Sequence, residues 1–203
     1  MDLRLAVLGD SIAAGQGADR PRDNVARRLA RALRQAGYDE ARARVFARSG
    51  ARSSGLKDQV DAALEWRPQL AVIIIGANDV THQTPPREAA QALADAVHRL
   101  REIGADVVVA PAPDLSTVPH VPAFLRRSVR AASARLRAEQ VAAATAAGAV
   151  VADGDGATSE AFRSDPTLFS ADRYHPSSAG YAVIADELRP HVLAAAQRVS
   201  SGR

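Results

Sequence analysis

Leu70-Ala71-Val72-Ile73-Ile74-Ile75 contains no polar residue and no alternation. A strand with one solvated face alternates apolar and polar side chains, so this run predicts a strand buried on both faces, at the centre of a parallel sheet. Gly76-Ala77-Asn78-Asp79 follows immediately and marks its end. Working outward, further short β-rich runs are Leu3 to Leu8, Arg44 to Ala47, Asp106 to Ala110 and Val150 to Asp153. Amphipathic stretches separate them. Asn24 to Ala36 carries Val25, Leu29 and Leu33 on one face and arginines on the other. Leu56/Val60/Leu64, Leu93/Val97/Leu100, Leu125/Val129/Leu136 and Tyr181/Ile184/Leu188 mark the others. Pro190 is expected to end or kink the last of them. Strand and helix in regular alternation predict the α/β class, a three-layer α/β/α sandwich.

The composition suits one domain over residues 1–203, with 198–203 as a frayed tail: 47% of residues are hydrophobic and 24% charged, and no linker or repeat interrupts the pattern. There is no cysteine, which excludes thiolate nucleophiles, disulfides and thiolate metal sites. Aromatic residues are only 4%, too few for a surface that stacks bases on several rings. The net charge is +3, and Arg27, Arg28, Arg31 and Arg34 fall on one helix as a solvated face, so no nucleic-acid partner is expected. The alanine-rich stretch Val141 to Ala147 is too short to span a bilayer. No charged leader precedes the first strand, so a cytoplasmic location is expected.

In an open α/β sheet, ligands bind beyond the carboxyl ends of the strands. The first strand is followed by Gly9-Asp10-Ser11-Ile12, the second by Arg48-Ser49-Gly50-Ala51 and the third by Gly76-Ala77-Asn78-Asp79. Asp172-Arg173-Tyr174-His175-Pro176 precedes the last helix. A serine, a sparsely covered backbone N–H, a side-chain amide and an Asp/His pair converging on one crevice are the parts for acyl transfer. A serine hydroxyl becomes nucleophilic when an imidazole takes its proton, and the imidazole is best held by a carboxylate on its other nitrogen.

These segments resemble the blocks of the SGNH, or GDSL, hydrolase family, from about Leu5 to Tyr181. GDSI stands where the family usually has GDSL. The resemblance implies a flavodoxin-like five-stranded sheet in the order 2-1-3-4-5 and a serine ester or thioester hydrolase that needs no cofactor or metal. It implies Ser11 as nucleophile with Asp172 and His175, and an oxyanion hole made by the Ser11 and Gly50 N–H groups and the Asn78 amide. The family usually places an asparagine about five residues before the second-block glycine, where this chain has Val45; Gly55 is the competing glycine. The partner implied is a small acyl ester or thioester, with hydrolysis or transfer to an alcohol both open.

The proline-rich stretch Pro111 to Pro122 predicts a long ordered loop at the catalytic end of the sheet. Its Leu115 and Val118, with nearby Phe124, are candidates for an apolar wall around the acyl chain. Other chemistries fit less well. Gly15-Gln16-Gly17 lacks the third glycine of a dinucleotide loop, and Gly9 to Gly15 lacks the Gly-Lys-Ser/Thr ending of a phosphate loop. Asp10 and Asp79 would suit a non-catalytic phospho-acceptor domain, but Lys57, the single lysine, lies far from the required position. Asp79 with His82, or Asp114 with His120, has the donor types of a metal site; solvated loop histidines explain them more simply.

Overall fold

The computed structural model describes residues 3–152 and 156–201. Five parallel strands, β1 (Arg4–Gly9), β2 (Arg42–Val45), β3 (Leu70–Ile74), β4 (Asp106–Ala110) and β5 (Val150–Val151), form one sheet in the order β2-β1-β3-β4-β5. The expected order 2-1-3-4-5 is therefore the observed one. β3 lies at the centre with every residue buried, as an unbroken apolar run requires.

Period-2 alternation along the inner strands divides the core in two. Leu5, Val7, Val72 and Ile74 face α2 (Val25–Gln35) and α8 (Ser178–Ser201), meeting Leu29, Leu33, Tyr181, Leu188 and Val192. Ala6, Leu8, Ala71 and Ile73 face the other way, toward Val60 of α3 (Leu56–Trp66) and Leu93, Val97 and Leu100 of α5 (Pro86–Glu102). α6 (Ala123–Ala146) covers the same side beyond α5. This is the expected three-layer sandwich.

The observed elements depart from the expected ones in four places. β2 spans Arg42–Val45 and not Arg44 to Ala47. It is an edge strand whose residues are mostly exposed, so hydrophobic alternation could not locate it, and its start is fixed by pairing of Arg42 with Arg4. β5 is only two residues long, and Asp153, expected at its end, lies outside the described residues. Pro190 does not end α8. Val192, Ala195 and Ala196 beyond it are fully or almost fully buried against the sheet side that α2 also covers, and this burial outweighs the one backbone bond a proline removes. Residues 198–201 of the expected tail continue α8, with Val199 partly buried against the same core and the Arg198 Nε donating to Asp106 Oδ2 at 2.9 Å; 202–203 lie outside the described residues.

The register sets the level of the site. Gly9 pairs with Ile74, so the residues after β1 and β3 emerge side by side. Gly9 has φ +133°, and a Cβ there would lie 1.8 Å from the Ile74 carbonyl oxygen. Only glycine lets the two strand ends approach this closely.

Candidate active site

Asp10 leaves β1 and caps α1 (Ser11–Ala14), its carboxylate accepting from the Ile12 N–H at 3.0 Å, with Gly15 closing the turn in the left-handed region. This strand-to-helix elbow holds Ser11 at the first helical position, only 6% exposed. A first-turn N–H has no partner within its own helix, and among the described residues the Ser11 N–H meets no other acceptor.

The second half comes from the loop before α8. Phe169 and Pro176 bridge across its base, and the Ser170 N–H donates to the His175 carbonyl at 2.8 Å. Inside the loop, Asp172 Oδ1 accepts from the Ser170 hydroxyl and from the Tyr174 and His175 N–H groups at 2.8 to 2.9 Å. Its Oδ2 lies 2.6 Å from His175 Nδ1, and His175 Nε2 lies 3.1 Å from Ser11 Oγ. The structure thus brings Ser11, His175 and Asp172 into one line. Desolvation pushes the Asp172 carboxyl upward, but the His175 ring, the two N–H donors and the Ser170 hydroxyl outweigh it and hold the group below the usual carboxylate range.

Asn78 lies on α4 (Ala77–Thr81), half-buried, with its Nδ2 donating to the Ala51 carbonyl at 3.0 Å. Gly50 occupies the tight turn after β2, at φ +79°. That turn is tied to β1, because the Arg48 N–H donates to the Gly9 carbonyl at 3.1 Å. The Gly55 N–H already donates to the Arg52 carbonyl at 2.9 Å, whereas the Gly50 N–H has no acceptor among the described residues.

Several further polar residues hold this arrangement; Asp10 and Asp79 stand in the strand-end blocks, whereas nothing in the sequence marked Gln59 as part of it. Asp79, fully buried, accepts the Ser53 N–H and hydroxyl at 2.8 to 3.2 Å and fastens the third block to the second. Gln59 does the same for the first block, exchanging bonds with both the N–H and the carbonyl of Gly9. Asp10 is fully buried beside Asp79, with one carboxyl oxygen unpartnered, and burial pushes it up to about 7. His120 donates from Nε2 to the Asp172 carbonyl at 2.8 Å, linking the proline-rich loop to the loop that carries Asp172 and His175. It does not meet Asp114, which pairs with Arg130 and Arg163. Nor does His82 meet Asp79: its Nδ1 donates to the Asn78 carbonyl at 2.8 Å.

Next to the loop that carries His175 lies an apolar cavity of about 100 Å³, walled by Ile12, Leu115, Val118, Phe162, Phe169 and Ile184, with Tyr174 and Pro176 on that loop. Leu115 and Val118 line this cavity. Phe124 does not: it sits at the start of α6, 82% exposed, outside the cavity. The proline-rich loop folds a short 3-10 turn, Leu115–Thr117, inward, while α6 begins too far out to follow it. Among the described residues, no helix is long and apolar enough to cross a membrane.

The model of the GDSL-like lipase/acylhydrolase family matches residues 7–183 of the chain. A GDSL-like esterase of Mycobacterium tuberculosis, Rv1075c, is 41% identical over 190 residues; the match covers 92% of this chain and 60% of that protein. Among solved structures, TesA is 26% identical with a TM-score of 0.74, covering 92% of this chain and 96% of the other. LAE5, an alpha/beta hydrolase enzyme from the metagenome of Lake Arreo, Spain, is 20% identical with a TM-score of 0.73 and 94% of each chain covered. The chain belongs to the GDSL-like lipase/acylhydrolase family.

Proposed function

We propose that the chain is a serine esterase that cleaves small acyl esters or thioesters through an acyl-enzyme on Ser11. The observation that carries this reading is the His175 imidazole, 3.1 Å from Ser11 Oγ on one nitrogen and 2.6 Å from Asp172 on the other. Asp172 fixes the tautomer with the proton on Nδ1, leaving Nε2 as acceptor for the serine proton. Ser11 Oγ then adds to the ester carbonyl, and negative charge develops on the carbonyl oxygen. The Ser11 and Gly50 N–H groups, neither with an acceptor among the described residues, and the Asn78 amide donate to that oxyanion. Asn78 Nδ2 rests on the Ala51 carbonyl in the free protein, which keeps the amide aimed into the turn that presents Gly50.

Collapse of the intermediate expels the alcohol or thiol, which takes the proton from His175 Nε2. Water, deprotonated by the same nitrogen, then releases the acid and restores Ser11. Leu115 and Val118 wall the space that accepts the acyl chain. Family membership supports this chemistry, and the 41% identity to a GDSL-like esterase is consistent with it.

The test is covalent labelling with a fluorophosphonate together with hydrolysis of p-nitrophenyl esters of increasing chain length. Wild type is expected to be labelled on Ser11 and to turn over, and Ser11→Ala to lose both. Labelling or turnover that persists in Ser11→Ala overturns the assignment. Adding alcohol acceptors and analysing products distinguishes hydrolysis from transfer.

A further inference from the structure

Beside the apolar cavity, and sharing its Thr117, Phe162 and Phe169 wall, is a second pocket of about 310 Å³ lined by four arginines: Arg126, Arg130, Arg163 and Arg173. Two of them are neutralised. Asp114 Oδ2 lies 3.5 Å from Arg130 and 3.1 Å from Arg163, and Arg163 also pairs with Glu160. The other two are not. Arg126 spends its Nε–H on the uncharged Val121 carbonyl at 3.2 Å, and among the described residues neither Arg126 nor Arg173 has a carboxylate partner.

Two unmatched guanidinium groups around one concavity repel each other, an arrangement that an anion relieves. On the same wall the Thr117 hydroxyl already donates to the Asp114 carbonyl at 2.8 Å, whereas the Ser116 hydroxyl accepts from Arg130 Nε at 3.3 Å and keeps its own proton as a neutral donor. Arg173 ties the pocket to the chemistry: it stands between Asp172 and Tyr174, in the left-handed region at φ 56°, on the loop that carries His175. The planar fork of an arginine pairs bidentately with carboxylate or phosphate oxygens, and two such forks on one concavity suit the higher charge and the extra oxygen of a phosphate.

We propose that this pocket is an anion subsite, and that the preferred substrate is an ester whose alcohol part carries a phosphate. The proposal rests on the esterase reading. The two pockets share Thr117, Phe162 and Phe169 and so lie side by side; with the acyl chain in the apolar cavity, the charged group is assigned to the other side of the ester. The phosphate is a handle only. The acyl C–O bond is the one that breaks, and the phosphorus–oxygen bonds stay intact.

The experiment compares 4-(butanoyloxy)phenyl phosphate with its neutral 4-methoxy counterpart at equal acyl length. For wild type, kcat/KM is expected to favour the phosphorylated ester by ~10-fold at low salt, mainly through KM, and the preference is expected to shrink as salt screens the site. In the double variant Arg126→Gln, Arg173→Asn the ratio is expected to fall to about one, asparagine being chosen because it tolerates the left-handed backbone. Arg87→Gln, a charge removed from the exposed face of α5, is expected to leave the ratio unchanged.

Equal rates for the two esters in wild type, or a preference that survives the double variant, overturns the subsite. Binding of 4-methoxyphenyl phosphate, measured by calorimetry on wild type and on Ser11→Ala, separates the two readings. Binding that is lost in the double variant supports the subsite even where neither ester is hydrolysed, and that second result sinks the esterase reading alone. Retention on phosphatidylglycerol vesicles without discrimination between the soluble esters would make Arg126 and its exposed neighbours Phe124 and Leu125 a membrane-contact surface, and would overturn the proposal.

Discussion

The two halves of the site are built differently. Ser11 and Asn78 emerge from the ends of β1 and β3, and what fixes them is buried: Asp10, Asp79, Ser53 and Gln59 are each at most 1% exposed. Asp172 and His175 instead sit on a loop outside the sandwich, where the Asp172 side chain is 44% exposed and held by short local bonds to Ser170, Tyr174 and His175. The Ser11/Asn78 half is therefore held by the core, and its buried polar residues should reveal themselves in stability. The Asp172/His175 half is held by local contacts on an exposed loop, so its residues should reveal themselves in rate if the esterase reading holds.

The sharpest test is Asp172→Asn. If the esterase reading holds, kcat should fall on the order of 10,000-fold through loss of the imidazole tautomer, with thermal stability nearly unchanged. A fall below about tenfold would leave His175 oriented by the loop backbone alone. In the Ser11/Asn78 half, Asn78→Ala should on the proposed mechanism lower kcat on the order of 100-fold with KM little altered, because an oxyanion-hole amide strengthens its bond only as the oxyanion forms. A rise in KM with kcat preserved would place Asn78 on the ground state instead. Both are read from steady-state kinetics on p-nitrophenyl esters.

Leu115→Ala should shift the preferred acyl length, cutting kcat/KM for medium-chain esters by roughly 10-fold relative to acetate, since each buried methylene contributes ~1 kcal/mol or more. Phe124→Ala, at an 82% exposed position, should leave the profile flat. An equal response from both would mean that the apolar cavity is not the acyl site.

Asp10→Asn addresses stability and not rate. The Asp10 carboxyl is raised to about 7 from its ordinary 3.8, so the native state keeps a proton that the unfolded chain gives up in between. Stability from this group is highest below pH 3.8, declines as pH rises toward 7, and stays low above it, at roughly 1.4 kcal/mol for each pH unit of the window. Asparagine keeps the acceptor for Ile12 N–H without the titration. Denaturant unfolding between pH 4 and 8 should therefore be flatter in the variant, which should be the more stable protein at pH 8. An unchanged pH dependence would show that Asp10 stays ionised in the native state.

How far the sequence could be read depends on the kind of information each region carries. The central run Leu70 to Ile75 announced a doubly buried strand because its burial admits only apolar residues. Gly9-Asp10-Ser11 and Gly76-Ala77-Asn78 were legible because a tight strand end and a buried elbow each restrict the residue types that fit. The edge strand β2 was misplaced by two residues, since its exposed side chains carry no periodicity and its bounds are set by pairing with β1. Pro190 runs against expectation for a related reason: a local helix-breaking preference loses to burial of Val192, Ala195 and Ala196 on the side of the sheet that α2 also covers, contacts with a helix more than 150 residues earlier in the chain.

By itself, then, the sequence determined the α/β class, the residues with chemistry to offer at the strand ends and, through its motifs, the family. Which of those residues meet was decided only in three dimensions. Ser11 and His175 are 164 residues apart, and their 3.1 Å contact exists because the β1–β3 register and the seating of α8 bring two distant turns to the same edge of the sheet. The bond from His120 to the Asp172 carbonyl, the Asp79–Ser53 clasp, the exposure of Phe124 and the unmatched arginines of the second pocket belong to the same category. Local propensity and pattern act over a few residues, whereas these features depend on distances set by the packing of the whole sandwich.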